Sequence, residues 1–407
     1  MLRLVVLGLA LASRPPRAAA AEPKRDLDAY AEHVVFIVVD GLAPRHVTAG
    51  NTPNLFGMRR RGAWASDSRS VQGGKTVSAI VSMLTGDPPE VHGIKSNLSK
   101  EEEIGNFQKA LKLCTDHNRS FFGVAYEHGM DAAAVIGITP PPRAGLPGFF
   151  RRFIPGDLAP QMPSEYPAGP LDSLRSGLKD LLGEGVGLAG PKFFSLCAGL
   201  LNLDASSSLL AAAADENASL SSEVEKYAES ILQKRILPAV IFLYFRDVDA
   251  MGHQYGWDTP ARPSPRQISA VKSVDRIIGR VAGMIAARKD LSGSTLILVA
   301  SDHGGGAADP YGHFSNEPGD YNTTLIAYGP GIRKGTLPDT VFVWHINQAV
   351  LFALGIKPGP GWDNNPLRKI FAPKKSGSRF TDISGAEKRA GAALEKTASD
   401  LDRLSPR

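Results

Sequence analysis

Three uninterrupted apolar runs frame this chain: His33 to Val39 closing on Asp40, Ala239 to Phe245, and Thr295 to Ala300 closing through Ser301 on Asp302. Each has the length of a strand, is rich in β-branched residues and lacks polar alternation, the pattern of a strand buried on both faces. Ser120–Ala125, Ala132–Gly137 and Asn322–Tyr328 read as further strands. Helical spacing appears between them. A short helix opens at Thr52-Pro-Asn-Leu55, others fit Val77–Leu84, Glu102–Cys114 and Trp344–Leu354, and a long one carries Ile268, Val271, Val274, Ile277, Ile278, Val281, Met284 and Ile285 on one face. That stripe reads as core. Strands alternating with helices predict an α/β fold, with a mainly parallel central sheet and helices on both faces.

The pattern breaks from Thr139-Pro-Pro-Pro142 to about Leu237, where Pro and Gly cluster before Ala-, Leu- and Ser-rich helical stretches. We read 139–235 as an inserted cap, 33–138 and 236–375 as the two halves of the α/β domain, and 376–407 as a peripheral charged tail. At the start, Arg3 precedes the apolar Leu4–Ala12 and the small residues Ala18–Ala21, the arrangement of a secretory signal over 1–21. That stretch is too short to span a bilayer and nothing later in the sequence is long enough, so a soluble secreted or periplasmic protein is expected. Four Asn-x-Ser/Thr sequons, at Asn97, Asn118, Asn217 and Asn322, suit a glycoprotein.

Charge and cysteines narrow the function. The formal net charge of +5 falls to +2 without Arg3, Arg14 and Arg17, and basic residues form short local runs such as Arg59-Arg-Arg61, so no nucleic-acid-binding patch is expected. Cys114 and Cys197 are too few for a zinc-finger framework and fit either one disulfide or two buried thiols.

The candidate chemistry lies beyond strand ends, where ligands gather in open α/β sheets. Asp40 is followed by Gly41, which allows a sharp turn. Asp249 and His253 are four residues apart, with Gly252 leaving space beside a metal. Asp302 and His303 precede Gly304-Gly-Gly306, and His313 follows ten residues after His303. Taken singly, these residues also fit a helix cap, a satisfied core histidine or a loop histidine. Together they supply oxygen and nitrogen ligands without thiolate, which suits Zn²⁺, in a number that suits two ions about 4 Å apart. Lys75-Thr76 precedes a helix, so Thr76 could be an N-cap, a metal-activated nucleophile, or both.

These residues, with Thr52-Pro-Asn-Leu55, Leu84-Thr-Gly86, Pro89-Glu-Val-His-Gly-Ile94 and Gly329-Pro-Gly331, make the chain resemble the alkaline phosphatase superfamily. Within it, the resemblance is to the type I phosphodiesterase/nucleotide pyrophosphatase group, over about 33–138 and 236–357. It implies an alkaline phosphatase-like fold and two Zn²⁺ ions, one held by Asp40, Thr76, Asp302 and His303 and the other by Asp249, His253 and His313. Thr76 would be the nucleophile and Asn97 would hydrogen-bond a phosphoryl oxygen, which argues that Asn97 is unglycosylated.

The pattern departs from that group at Val77-Ser-Ala-Ile80, where Phe-Pro-Asn-His is usual, and in the early position of the third histidine, His313. Thr76 excludes the Cys or Ser nucleophile of sulfatases. The expected activity is hydrolysis of phosphodiester or nucleotide pyrophosphate bonds in a small-molecule substrate, through a threonyl-phosphate intermediate. The cap, with Phe149, Phe150 and Tyr244, would select the leaving group. A phosphomonoesterase on the same metals is the alternative, though the Lys-x-Arg that holds a dianionic phosphate is missing and Arg151-Arg152 would have to replace it. A non-catalytic binding protein retaining the fold is the third reading.

Overall fold

The computed structural model describes residues 7–9, 25–95, 113, 118–136, 220–235 and 237–373. The strands are β1 (Leu7–Leu9), β2 (His33–Val39), β3 (Ala63–Arg69), β4 (Ala132–Ile136), β5 (Val240–Phe245), β6 (Thr295–Ala300), β7 (Leu325–Tyr328) and β8 (Gly335–Phe342). They form one sheet in the order β1-β4-β5-β2-β6-β7-β3-β8. The four strands β4, β5, β2 and β6 run parallel, as does the outer pair β3 and β8, while β1, and β7 against both its neighbours, run antiparallel.

Alternate side chains of β2 enter two separate apolar cores, which explains the uninterrupted run. Val34, Phe36 and Val38 join one core with helices α2 (Thr76–Thr85) and α4 (Phe121–Glu127). Val35, Ile37 and Val39 join the other, with α1 (Pro53–Arg61), α5 (Leu220–Leu232) and α7 (Pro265–Ala287). Completing the set are α3 (Pro89–His92), α6 (Asp247–Tyr255), α8 (Lys289–Ser292), α9 (Pro318–Tyr321) and α10 (His345–Ala353). The long apolar stripe is core as expected, with Val271, Val274, Ile277, Ile278, Val281 and Ile285 buried. None of the helices searched among the described residues is long and apolar enough to cross a membrane.

Ser120–Ala125 is not a strand. Ser120 caps α4, its Oγ accepting from the Phe122 N–H at 3.3 Å. Phe121, Phe122 and Ala125 then face the sheet, Phe121 meeting Phe36 edge-on at 6.0 Å and Phe122 meeting Phe242 at 6.0 Å. A short apolar run does not distinguish strand from buried helix, and here the cap decides. Two strands carry no apolar run at all. β3 and β8 lie at the sheet's far end with mixed burial, and the outermost, β8, includes Pro338.

Helix α5 falls inside the stretch read as an insertion, yet its Val224, Ala228, Ile231 and Leu232 belong to the core shared with β5 and α7. Residues 137–219, the helix at Glu102–Cys114 apart from Leu113, the tail from 374, both cysteines and Asn97 lie outside the described residues, as does the leader apart from β1.

Pairing of β5, β2 and β6 sets the position of everything that follows. Val39 is level with Phe245, Val38 is level with Ala300, and the Asp40 N–H donates to the Phe245 carbonyl at 2.8 Å. Three parallel strands therefore end side by side, and the residues just beyond them share one edge.

Helix α1 illustrates how far the packing substitutes for local signals. Its N-cap, Thr52, makes no side-chain cap bond. Buried Asp275 of α7 accepts instead from the Asn54 N–H at 3.1 Å, Asn54 Nδ2 at 2.9 Å and the Leu55 N–H at 2.9 Å. Asp275→Ala strands these donors and is expected to destabilise the fold by about 2–3 kcal/mol while leaving metal uptake unchanged. Denaturant unfolding with and without added Zn²⁺ checks both halves.

Candidate metal centre

Asp40 leaves β2, Asp249 and His253 lie on α6 just after β5, and Asp302 and His303 follow β6. Opposite them stand Thr76, the first residue of α2, and His313 on the loop before α9. The structure brings all seven together. Asp40, Asp302, His303 and His313 are at most 1% exposed, and Asp249 and Thr76 are buried as well.

The three imidazoles share one orientation. His303 Nδ1 bonds the Gly304 carbonyl at 2.8 Å, His313 Nδ1 the Gly74 carbonyl at 2.8 Å, and His253 Nδ1 the Tyr311 carbonyl at 2.7 Å. A carbonyl can only accept, so each Nδ1 carries the proton and each Nε2 is directed inward with a lone pair in the neutral ring. This is how ligating histidines are held.

His303 Nε2 lies 3.1 Å from Asp40 Oδ1, 3.5 Å from Asp302 Oδ2, 4.0 Å from Asp249 Oδ1 and 3.0 Å from Thr76 Oγ1. Asp249 Oδ1 is also 3.2 Å from His253 Nε2 and 3.6 Å from His313 Nε2. Despite this crowding, Asp40 Oδ1, Asp249 Oδ1 and Asp302 Oδ2 are buried without a hydrogen-bond donor. With Nδ1 carrying the proton, the Nε2 of a neutral ring has none to give them. Each carboxylate's other role differs: Asp40 Oδ2 accepts from Tyr244 Oη, and Asp302 Oδ1 accepts the Gly41 and His303 N–H groups at 3.1 and 3.0 Å.

Three orphaned carboxylate oxygens meeting three inward lone pairs fit a divalent cation, which removes the desolvation and repulsion that the bare cluster suffers. Asp40, Asp302 and His303 converge with ligand atoms within 4.8 Å, and so do Asp249, His303 and His313. His253 reaches the second group through Asp249.

The proton equilibria of the bare cluster show the same strain. Burial drives His303 down, but Asp302, Asp40 and Asp249 outweigh it and hold the ring up at about 10. The Asp249 carboxylate raises His253 to about 9. Burial acts to raise Asp249, yet His253, His313 and His303 bring it below the usual carboxylate range. Asp302 is pushed well up by burial and the charge of Asp40, and His313 well down by burial and the charge of His303.

Several sequence-level roles change. The N-cap of α2 is Lys75, with Thr76 the first helical residue and its hydroxyl on His303 rather than on the helix. Gly252 makes room for Trp257, not for a metal: a Cβ there would lie 2.5 Å from the indole Cε2. Tyr244 is fully buried and donates to Asp40 from β5, so it orients that carboxylate and cannot line a leaving-group pocket. Phe149, Phe150, Arg151 and Arg152 lie outside the described residues. Trp257 carries no sequence signal for the centre, since it lies in the loop after α6 and not at a strand end.

The parallel-strand edge gathers a buried acid and histidine cluster that could hold a divalent metal, with a threonine at a helix start beside it. The model of the type I phosphodiesterase / nucleotide pyrophosphatase family matches residues 34–321, and the chain belongs to that family. Over 145 residues it is 30% identical to ectonucleotide pyrophosphatase/phosphodiesterase family member 1 of Mus musculus, a stretch that is 34% of this chain and 15% of that protein. The chain thus spans well under a fifth of that relative's length. Human ectonucleotide pyrophosphatase/phosphodiesterase 5 shares the fold, with a TM-score of 0.50 at 13% identity over 84% of this chain and 100% of that one. The murine counterpart, an inactive form in complex with AMP, gives a TM-score of 0.48 at 13% identity, covering 82% of this chain and 99% of that one.

In the metal-free protein His253 and His303, raised to about 9 and about 10, are protonated at pH 7. A ligating imidazole is neutral, so Zn²⁺ uptake at pH 7 is expected to expel roughly one to two protons per chain, with affinity rising as pH climbs toward these values. Calorimetry in buffers of different ionisation enthalpy measures the release. Uptake without it would show that these imidazoles are not displaced from their protonated state.

Proposed function

We propose that the chain is a two-zinc hydrolase that cleaves phosphodiester or nucleotide pyrophosphate bonds through a threonyl-phosphate intermediate. The observation that carries this reading is the position of Thr76 Oγ1, 3.0 Å from His303 Nε2 at the edge of the orphaned carboxylate cluster. Asp40, Thr76, Asp302 and His303 would hold one ion, and Asp249, His253 and His313 the other. Bound zinc supplies Lewis-acid stabilisation of negative charge on the phosphoryl, attacking and leaving oxygens.

The chain's own residues do the positioning. Thr76 Oγ forms the new bond to phosphorus as the leaving oxygen departs, and water later cleaves the threonyl ester. The partial positive end of α2 would face the transferring group, and Asn97 would be the donor to one of its oxygens. The leader-like start would place this activity in the secreted or periplasmic space.

Diester preference follows from what borders the site. A monoester dianion asks for a dedicated bidentate cation. Lys75, next to the nucleophile, instead rests its ammonium 4.2 Å from the Phe314 ring centroid. Phe314 packs on His313 at 4.1 Å and is 48% exposed, while nearby Tyr311 is 53% exposed. Exposed aromatic surface beside the histidines suits the second organic group of a diester, and it replaces the role first assigned to Tyr244.

Thr76→Ala is expected to abolish turnover with the fold intact, while Thr76→Ser retains measurable activity. Asn97→Ala should lower the rate by about 10²–10³-fold. A bis-aryl phosphate diester should show a higher kcat/KM than the aryl monoester with the same leaving group. The reverse order, abolished by Arg151→Ala or Arg152→Ala, would establish the phosphomonoesterase reading. An active alanine variant at Thr76 would remove it as the nucleophile.

A further inference from the structure

Trp257 is fully buried, yet it belongs to neither apolar core. Its neighbours are glycines. A Cβ on Gly41 would lie 2.4 Å from the indole Cη2, one on Gly252 2.5 Å from Cε2, one on Gly305 2.3 Å from Cδ2, and one on Gly306 2.4 Å from the tryptophan Cβ. Each of these glycines adjoins candidate ligands: Gly41 follows Asp40, Gly252 precedes His253, and Gly305 and Gly306 follow Asp302-His303-Gly304. The three ligand-bearing segments, arriving from β2, β5 and β6, thus press bare backbone against a single ring.

The imidazoles surround the same indole. Ring centroids of His253, His303 and His313 stand 6.3, 6.1 and 6.1 Å from it, at interplanar angles of 80°, 62° and 68°. All three are edge-to-face contacts, a favourable aromatic arrangement. Indole Nε1 finds no hydrogen-bond acceptor, so shape rather than a polar tether fixes the ring. The backbone beneath it is anchored firmly. The Trp257 N–H donates to the Pro310 carbonyl at 2.9 Å, the Asp258 N–H to Gln267 Oε1 at 2.6 Å, and Arg45 bridges the Asp258 and Gly305 carbonyls at 2.7 and 2.8 Å.

We propose that Trp257 is a positioning residue: a rigid wedge whose size and flatness set the separation of α6, carrying Asp249 and His253, from the Asp40 turn and the Asp302-His303 loop. Ligands within one segment keep their mutual geometry without it. The spacing between the two ligand groups does not, because α6 can then move against the β2 and β6 ends. This inference rests on the two-metal reading.

The test is zinc binding by the full chain, measured by chelator competition, for wild type, Trp257→Phe and Trp257→Leu, with circular dichroism and thermal unfolding of each metal-free protein. Wild type should bind two ions. Both variants should keep one ion near wild-type affinity and bind the other roughly tenfold more weakly or worse, the scale of losing an outer-shell partner, while the metal-free Phe variant retains its unfolding midpoint. Phenylalanine keeps a ring between Gly252 and Gly305 but lacks the outer ring that meets Gly41, so it decides the question even if the leucine variant does not fold. Two unchanged zinc affinities in the phenylalanine variant would overturn the wedge, as would equal weakening of both together with a lowered metal-free midpoint, which is the signature of ordinary core packing. A wild-type chain that takes up no zinc would overturn the metal reading itself, a result distinct from either.

Discussion

Mutual repulsion among Asp40, Asp249 and Asp302 is the constraint on which this structure turns. Three carboxylates gathered within about 4 Å of one imidazole nitrogen, and almost wholly buried, cannot all remain charged without compensation. In the bare protein, protons on His253 and His303 provide it, and burial beside Asp40 pushes Asp302 toward its neutral form. Such a cluster costs stability and is tolerated where the surrounding scaffold is rigid. Here the scaffold is three parallel strands buried on both faces, whose ends are held level by their own pairing.

The legible part of the fold follows from that burial. β2, β5 and β6 announce themselves because both faces are core, which leaves no apolar–polar alternation in the run, and the acids stand out against such runs at their ends. β3 and β8 give no comparable signal, since the last two strands of the sheet are only partly buried and carry Ser66, Asp67 and Pro338. The Ser120 run misled for a related reason. Its apolar residues face the same core a strand would face, and the helix is declared by a single capping hydroxyl.

The candidate site was legible by ligand type and not by support. Asp, His and Thr at strand and helix ends have a chemistry that their spacing suggests. Nothing local marks Tyr244 as the donor to Asp40, because that pairing depends on two neighbouring strands being in register, Val38 level with Tyr244. Nothing local marks Trp257 either. The glycines beside the candidate ligands are the available signal: Gly41 reads as a turn, Gly252 as room for a metal and Gly304–Gly306 as close backbone approach. Gly41 makes the expected turn at φ +73°, and it, Gly252 and Gly305 all leave room for the Trp257 ring.

That assignment changes where the centre is vulnerable. The histidines are tethered through main-chain carbonyls of Gly304, Gly74 and Tyr311, groups that no side-chain substitution removes directly. What substitution can do is displace the backbone that carries them. A Cβ on Gly304 would lie 2.2 Å from the Gly319 carbonyl oxygen, and one on Gly74, already at φ +52°, 2.4 Å from the carbonyl oxygen of His313. In both cases the obstacle is backbone, which cannot swing aside as a flexible side chain could. The precision of the ligand cluster is therefore set by positions that contribute no ligand. Small residues let the main chain come close enough to direct each imidazole, and a single large ring fills the space that their missing side chains leave.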